Sequence, residues 1–336
     1  MTNNRAEWLK ARRSGIGGSD VAAILGLSRY KTKVDVYEDK IATDEPEDAQ
    51  SQAAYFGSAL EDVVAQEFSK RTGMKIQRVN KMLRMGEGDW MIANIDRAIV
   101  NPEIAGRVYV YDEARQVETG RQISTDMILE CKTASSFIAD QWGPSQEDEI
   151  VHGKVVTEHK IPLYYETQVQ WYLGVTGASV CFVAALLGGQ DFRIYRVDRD
   201  EEVIEALKEH CGKFWRENVL ARVAPDPDTK EDVAKIFPID NGEMIEASND
   251  VAADIGELRN LQEQIKTLQD AQDVVKDRIC AALGDKTGFT IAGEKACTYK
   301  AQTSNRFDST RFKKAQPDLY NEYTKTTTTR VFRLAA

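Results

Sequence analysis

The apolar positions follow two spacings along the chain. Residues 53–72 place Leu60, Val63, Val64, Glu67 and Phe68 on one side of a 3.6-residue period, which predicts a helix. Strand-like runs follow at 75–85, 90–100, 108–110 and 127–132, and the turn formers and charges of 101–126 read as a hairpin or loop. Residues 134–160 lack a period and read as surface chain. Leu163–Val175 is helical, and Ser179–Leu187 and Phe192–Val197 are strands around the turn signal Gly188-Gly189-Gln190-Asp191. Asp200 is placed to cap a helix reaching about Val219, with Glu201 and Glu202 in its first turn. This order predicts an α/β core with a mixed sheet, since short links make hairpins and helical links make crossovers.

The run Ala224-Pro225-Asp226-Pro227-Asp228 marks a break. Beyond it, Leu258, Leu261, Ile265, Leu268, Gln272, Val275 and Ile279 alternate spacings of three and four, a heptad seam with one polar position. Two partners fit such a seam: the 200–219 helix of the same chain, or another copy. Residues 288–300 read as a hairpin, 308–323 as a short helix plus turn, and Arg330–Leu334 as a final strand. The expected division is a core over 1–220, a linker and long helix over 221–284, and a small basic α+β domain over 285–336. Residues 42–52 read as an exposed acidic loop.

Composition narrows the class of protein. In 336 residues, 42% are hydrophobic and 29% charged, ordinary for a globular chain. No window reaches the ~18 apolar residues of a membrane span, and the polar residues 1–10 give no expectation of a secretory signal. Five cysteines without a CxxC and three histidines without HExxH or HxH argue against a disulfide framework, a zinc ribbon or an iron–sulfur clamp. Reduced thiols and a cytoplasmic location are expected, and a metal held by oxygen ligands, Mg²⁺ or Mn²⁺. The net charge of −10 is uneven. Residues 1–40 carry net +3 and 295–336 net +6, whereas 198–294 carry −11. Such a chain can turn a basic surface to a polyanion while its outside stays acidic.

The candidate chemistry starts at Ile128-Leu129-Glu130-Cys131-Lys132-Thr133. Alternation puts Glu130 and Lys132 on one face of a strand, with Leu129 and Cys131 on the other. A carboxylate beside an ammonium suits hydrolysis, one holding a cation and the other orienting water. Upstream, Trp90-Met91-Ile92-Ala93-Asn94-Ile95-Asp96 ends an apolar strand in a carboxylate, and Gly57-Ser58-Ala59-Leu60-Glu61 sets an acid in a helix. Downstream, Gln168 lies among Tyr164, Tyr165, Trp171 and Tyr172, where an amide needs a partner. Near the start, Arg12-Arg13-Ser14-Gly15-Ile16-Gly17-Gly18-Ser19-Asp20 reads as a basic turn, a Gly-rich loop and a helix capped by Ser19 and closed by Gly26. Backbone N–H groups there suit a phosphate.

Glu61, Asp96, Glu130, Lys132 and Gln168, in that order, resemble the D…(D/E)xK pattern of the PD-(D/E)XK nucleases. Within that superfamily, the GxxxE, QVQWY and Gly-Gly-Ser-Asp segments resemble the lambda-type exonucleases, the YqaJ-like viral recombinase family, over about residues 5–220. The resemblance implies a restriction-endonuclease-like core, a central mixed sheet flanked by helices with a C-terminal helical and small β extension. It implies Mg²⁺-dependent, 5′→3′, processive digestion of linear double-stranded DNA with free ends. Asp96, Glu130 and the Cys131 backbone carbonyl would hold the metal, with Glu61 assisting a second ion, and Lys132 and Gln168 would act on the attacking water. Arg12, Ser19 and Asn94 would contact the 5′-phosphate, with Asp20 facing outward. A ring-shaped homotrimer and a single-strand annealing protein as partner are implied as well, as is a phage or prophage origin with work in the host cytosol. Arg97 stands where relatives carry glycine, and reads either as a phosphate contact or as a solvent-facing side chain. Two other readings are a catalytically inactive nucleic-acid-binding module on the same fold and a repair nuclease with an iron–sulfur cluster. The intact Asp96/Glu130/Lys132 set argues against the first, and the cysteine spacing against the second.

Overall fold

The computed structural model describes residues 2–44, 51–85, 88, 90–153 and 160–335. The expected loop at 42–52 thus lies largely outside the described residues, as does 154–159 of the expected surface stretch. The chain divides into two compact units, Met1–Ile236 and Phe237–Ala336.

The first unit opens with helix α1 (Thr2–Arg12), strand β1 (Ile16–Gly17) and helices α2 (Gly18–Ile24), α3 (Lys33–Ile41) and α4 (Gln52–Thr72). Four short strands follow: β2 (Ile76–Gln77), β3 (Leu83–Met85), β4 (Met91–Ala93) and β5 (Arg97–Ile99). Helix α5 (Glu113–Thr119) leads to β6 (Met127–Ala134), then α6 (Glu147–His152), α7 (Leu163–Thr176), β7 (Val180–Leu187), β8 (Asp191–Asp198), α8 (Glu201–Phe214) and α9 (Lys230–Ile236). The main sheet runs β2-β5-β6-β7-β8, and β1-β4-β3 form a second, smaller sheet. As the patterning predicts, the main sheet is mixed: β6 and β7 are parallel across the α7 crossover and the other pairs antiparallel.

Alternation along the strands builds two cores, one on each side. Leu129, Phe182, Ala184 and Ile194 pack with Val64, Ala65 and Phe68 of α4. Ile128, Cys181, Val183, Ala185 and Tyr195 pack with Val169, Trp171 and Leu173 of α7 and with Ile204 and Leu207 of α8. The sheet is therefore covered on both faces, so polar side chains at its centre are forced into burial.

Several expectations need correction. The 75–85 and 90–100 runs each split between the two sheets, because the alternation is continuous while the hydrogen-bonding partners change. Residues 101–126 contain α5, capped by the Asp112 side chain and ended by Gly120 in the left-handed region. Val110 makes only a single bridge to Ile123, and residues 330–334 form no strand. The helix after Asp200 follows the expected cap, its carboxylate accepting the Glu202 and Val203 amides, but turns π-helical over Trp215–Leu220.

The second unit holds the 35-residue helix α10 (Asn249–Leu283), the hairpin β9 (Gly288–Ile291) and β10 (Glu294–Thr298), and helices α11 (Ser309–Ala315) and α12 (Pro317–Glu322). The heptad seam lies on α10, where Leu261, Ile265 and Leu268 are 45%, 53% and 70% exposed. No helix among the described residues is long and apolar enough to cross a membrane.

Candidate active site

The site forms where the chain passes from the small sheet to the main one. β4 ends at Ala93 and β5 begins at Arg97, so Asn94, Ile95 and Asp96 make the passage. The β5–β6 ladder runs only from Arg97↔Leu129 to Ala98↔Ile128. Just beyond it, the Cys131 N–H donates to Asp96 Oδ2 at 2.8 Å, so a carboxylate takes the place of the next ladder carbonyl. This fixes Asp96 against the Glu130-Cys131-Lys132 stretch.

Glu130 and Lys132 share a strand face, as alternation requires, and that face looks at α7. Lys132 Nζ donates to Glu130 Oε1 at 2.7 Å and to Gln168 Oε1 at 2.9 Å. Gln168 Nε2 donates to the same Glu130 oxygen at 2.7 Å and to Tyr172 Oη at 3.0 Å. Gln168 is thereby the clamp its aromatic surroundings demanded, with the amide orientation set by the ammonium on one side and the carboxylate on the other. Tyr172 completes this network; in the sequence it is one more residue of an apolar helix.

Burial governs the electrostatics. Glu130 is 3% exposed, and its Oε2 is buried without a hydrogen-bond partner. Desolvation, then the Glu130 charge and Glu61, push the Asp96 carboxyl well above its ordinary range, although Lys132 opposes this. The Glu130 carboxyl is likewise raised, first by burial. Burial works against the charged form of Lys132, but the two carboxylates outweigh it and its pKa is raised, so the side chain stays an ammonium. Burial and the same acids push the Cys131 thiol up.

An orphaned carboxylate oxygen in a closed cluster of oxygen donors fits a hard divalent cation. No group of three or more His, Cys, Asp or Glu side chains is placed for a metal among the described residues. Two carboxylates and a carbonyl suit Mg²⁺, which binds through one or two carboxylates and keeps several waters. Glu61 lies beside Asp96 and is tied to Arg97. Its carboxylate accepts from Arg97 Nη1 at 2.6 Å. Arg97 also donates to Asp62 and to the Asp96 carbonyl, and is only 4% exposed. Arg97 thus does not face solvent; it ties α4 to the Asp96 passage. Asn94 lies half-buried on that passage.

The Gly-rich segment abuts the same network. A Cβ on Gly18 would stand 2.6 Å from a Tyr172 ring carbon and 2.9 Å from Gln168 Cγ, so only glycine lets α2 approach α7 this closely. One residue on, Ser19 Oγ accepts from Arg12 Nη2 at 2.6 Å, and the Arg12 guanidinium lies 4.8 Å from the Trp8 ring centre. Two corrections apply. The α2 N-cap is Gly17 and not Ser19, which frees the Ser19 hydroxyl for Arg12. Asp20 points inward: it is 2% exposed, accepts the Gly17 N–H at 3.0 Å, and pairs with Lys31 and with Lys40 Nζ at 2.8 Å. Lys40 in turn donates to the Arg12 carbonyl at 2.9 Å. The expected outward turn would have spared the anion site a negative charge; the two lysines neutralise that charge instead.

Residues 7–179 match the model of the YqaJ-like viral recombinase domain. The uncharacterized protein YqaJ of Bacillus subtilis (strain 168) is 34% identical over 336 residues, 98% of this chain and 93% of that protein. Among solved structures, the alkaline exonuclease LHK-Exo from Laribacter hongkongensis is similar at 16% identity and a TM-score of 0.43, over 65% of this chain and 93% of that one. A putative exonuclease from Eubacterium rectale is similar at 14% identity and a TM-score of 0.41, over 73% and 96%. With its family model spanning the whole Arg12-to-Gln168 constellation and a relative alike along nearly its full length, the chain belongs to the YqaJ-like viral recombinase family.

Proposed function

We propose that this chain is a Mg²⁺-dependent exonuclease that digests linear double-stranded DNA from its 5′ ends, processively. The observation that carries the reading is the buried, partnerless Glu130 Oε2 beside Asp96, with Lys132 hydrogen-bonded to Glu130 and Gln168. Asp96, Glu130 and the Cys131 carbonyl would hold the cation, which when bound neutralises charge on the phosphodiester and acidifies water. Lys132 orients the attacking water and balances the charge developing on the phosphate. Gln168 fixes the Lys132 and Glu130 side chains relative to each other, and Tyr172 fixes Gln168. Glu61, paired with Arg97, acts on this reading through the charge it adds beside Asp96.

The test is linear duplex DNA labelled at either end and followed over time with each cation. Label release from 5′ ends with Mg²⁺ or Mn²⁺, and binding without turnover in Ca²⁺, are expected, because calcium takes longer, looser bonds to the same oxygens. Undiminished digestion in EDTA, or dependence on zinc alone, sinks the reading. A protein that retards DNA without degrading it under any of these conditions is the inactive binding module instead.

Direction and processivity follow from Arg12 and Ser19, one residue from the glycine that touches Gln168 and Tyr172. A terminal 5′-phosphate held there keeps the new end in place after each cut. Arg12→Ala removes a charge-assisted contact worth about 1.5–3 kcal/mol. It is expected to lower activity most on 5′-phosphorylated ends and to shorten digestion runs. Equal phosphate preference and equal run lengths in both proteins would place the phosphate elsewhere. A homotrimeric ring and a single-strand annealing partner belong to the same proposal, and sedimentation of the free and DNA-bound protein tests the first.

A further inference from the structure

A line of aromatic rings leads from the Lys132 ammonium to solvent. Lys132 Nζ lies 4.7 Å from the centre of the Tyr165 ring. Tyr165 meets Tyr164 at 4.3 Å between centres, and Tyr164 meets Tyr30 edge-on at 6.4 Å. Behind them, Trp142 backs Tyr165 at 5.4 Å. The Arg29 guanidinium lies 5.7 Å from the Tyr30 ring centre and 5.9 Å from that of Tyr164.

The outer end of this line does not behave as core. Tyr30 is 69% exposed, yet its loop is pinned on both sides. Lys31 reaches the buried Asp20, and Arg29 Nη2 donates to Gln141 Oε1 at 2.8 Å. The Tyr30 amide itself donates to Ser28 Oγ at 3.1 Å. A large ring is thus held out in water on fixed backbone, which gains little burial and keeps a flat face ready. Farther in, Tyr164 is half-buried and backed by the Tyr165 ring.

A further constraint comes from the depth of the chemistry. The Glu130 and Lys132 side chains are 4% and 14% exposed. A strand end that has left its stack is narrower than a duplex and reaches such groups more easily. A base that leaves loses its neighbours, and a tyrosine face with an adjacent guanidinium replaces them without regard to sequence.

We infer that Tyr30, with Tyr164 and Arg29, forms a binding site for an unpaired nucleobase of the strand being cut. The inference rests on the nuclease reading above and adds a site to it. Base stacking here holds the frayed end open while its phosphate is with Lys132, and it tolerates any sequence.

Two measurements test it, one of them independent of cleavage. In the first, a duplex with a two-nucleotide frayed end carries 2-aminopurine at the 5′-terminal position, and fluorescence is read on binding in Ca²⁺. Quenching is expected with the wild type and with Tyr30→Trp, and about a tenfold weaker stacked population with Tyr30→Ala. Equal fluorescence for wild type and Tyr30→Ala overturns the site. In the second, kcat/KM is compared on duplexes with an intact or an abasic nucleotide at the same position. The wild type should favour the intact base about tenfold, Tyr30→Trp should keep that preference, and Tyr30→Ala should lose it. An equal preference in Tyr30→Ala, or a preference that follows an abasic nucleotide in the complementary strand, also overturns it. Quenching without digestion would leave the base site standing and remove the nuclease reading. Because Tyr30 is exposed, Tyr30→Ala should melt at the wild-type temperature, which separates a local effect from misfolding.

Discussion

Lys132→Ala is expected to lower phosphodiester cleavage by 10³-fold or more while DNA binding in Ca²⁺ is retained. Such a rate loss is about 4 kcal/mol of transition-state stabilisation, the range for removing a group that meets charge as it develops. The lysine joins Glu130 to Gln168, and the two acids keep it charged. Glu130→Ala should fail as completely for another reason: it removes the buried oxygen left without a partner and the acceptor that both Lys132 and Gln168 use. Gln168→Ala should cost less, since it frees Lys132 without removing it. Its signature would be a fall in kcat with a nearly unchanged KM. Near wild-type turnover in either Lys132→Ala or Glu130→Ala would show that cleavage is performed elsewhere.

The largest effect on stability is expected at Asp20. Removing one partner of a buried ion pair leaves the other charge uncompensated, at about 3–5 kcal/mol. Here Asp20→Ala leaves Lys40, whose side chain is 1% exposed, with the more distant Asp39 at 3.7 Å, and also loses the acceptor for the Gly17 N–H. Thermal unfolding should fall by roughly 10 °C for a unit of this size. Asp20→Asn keeps the acceptor and removes the charge, and combining it with Lys40→Met should recover much of the loss. A double variant no better than Asp20→Asn alone would show that packing, not charge, is the cause. The pH dependence has a defined sign. Burial by itself would raise the Asp20 carboxyl, but Lys40, Lys31 and Arg12 outweigh it and hold it far below the ordinary carboxylate range. The stabilisation is therefore fully present above about pH 4, the unfolded value. It fades only as the pH falls toward the depressed folded value. The stability gap between wild type and Asp20→Asn should stay constant from pH 8 to about 5 and narrow in stronger acid.

These two predictions concern residues of very different legibility. Glu130 and Lys132 lie two apart in an apolar run, and the two-residue period of a strand fixes their common face whatever the rest of the chain does. The clamp by Gln168 was nearly as legible, since an amide on an aromatic helix face must find a partner. The site's second tier was hidden. Nothing local to Asn94-Ile95-Asp96-Arg97 shows that the strand changes sheets there, because apolar residues continue on both sides. The pairing of Arg97 with Glu61 and Asp62 joins positions 35 and 36 residues apart. Asp20 looked like a surface acid because Lys40, its neutralising partner, is twenty residues away on another helix.

The long helix teaches the same distinction. Its heptad period specifies a helix with one apolar seam, and α10 has both. The period says nothing of what covers the seam, and within the second unit Leu261, Ile265 and Leu268 stay exposed. The sequence by itself determined what repeats along the backbone: the long helices and strands of the main sheet, its mixed character, the shared face of Glu130 and Lys132, and the cap at Asp200. Only the tertiary structure decided which charges are buried together, where the strand leaves its sheet, and which oxygen is left without a partner. Periodicity depends on dihedral geometry that each short segment carries with it, whereas burial and charge pairing depend on which distant segments come to lie against each other.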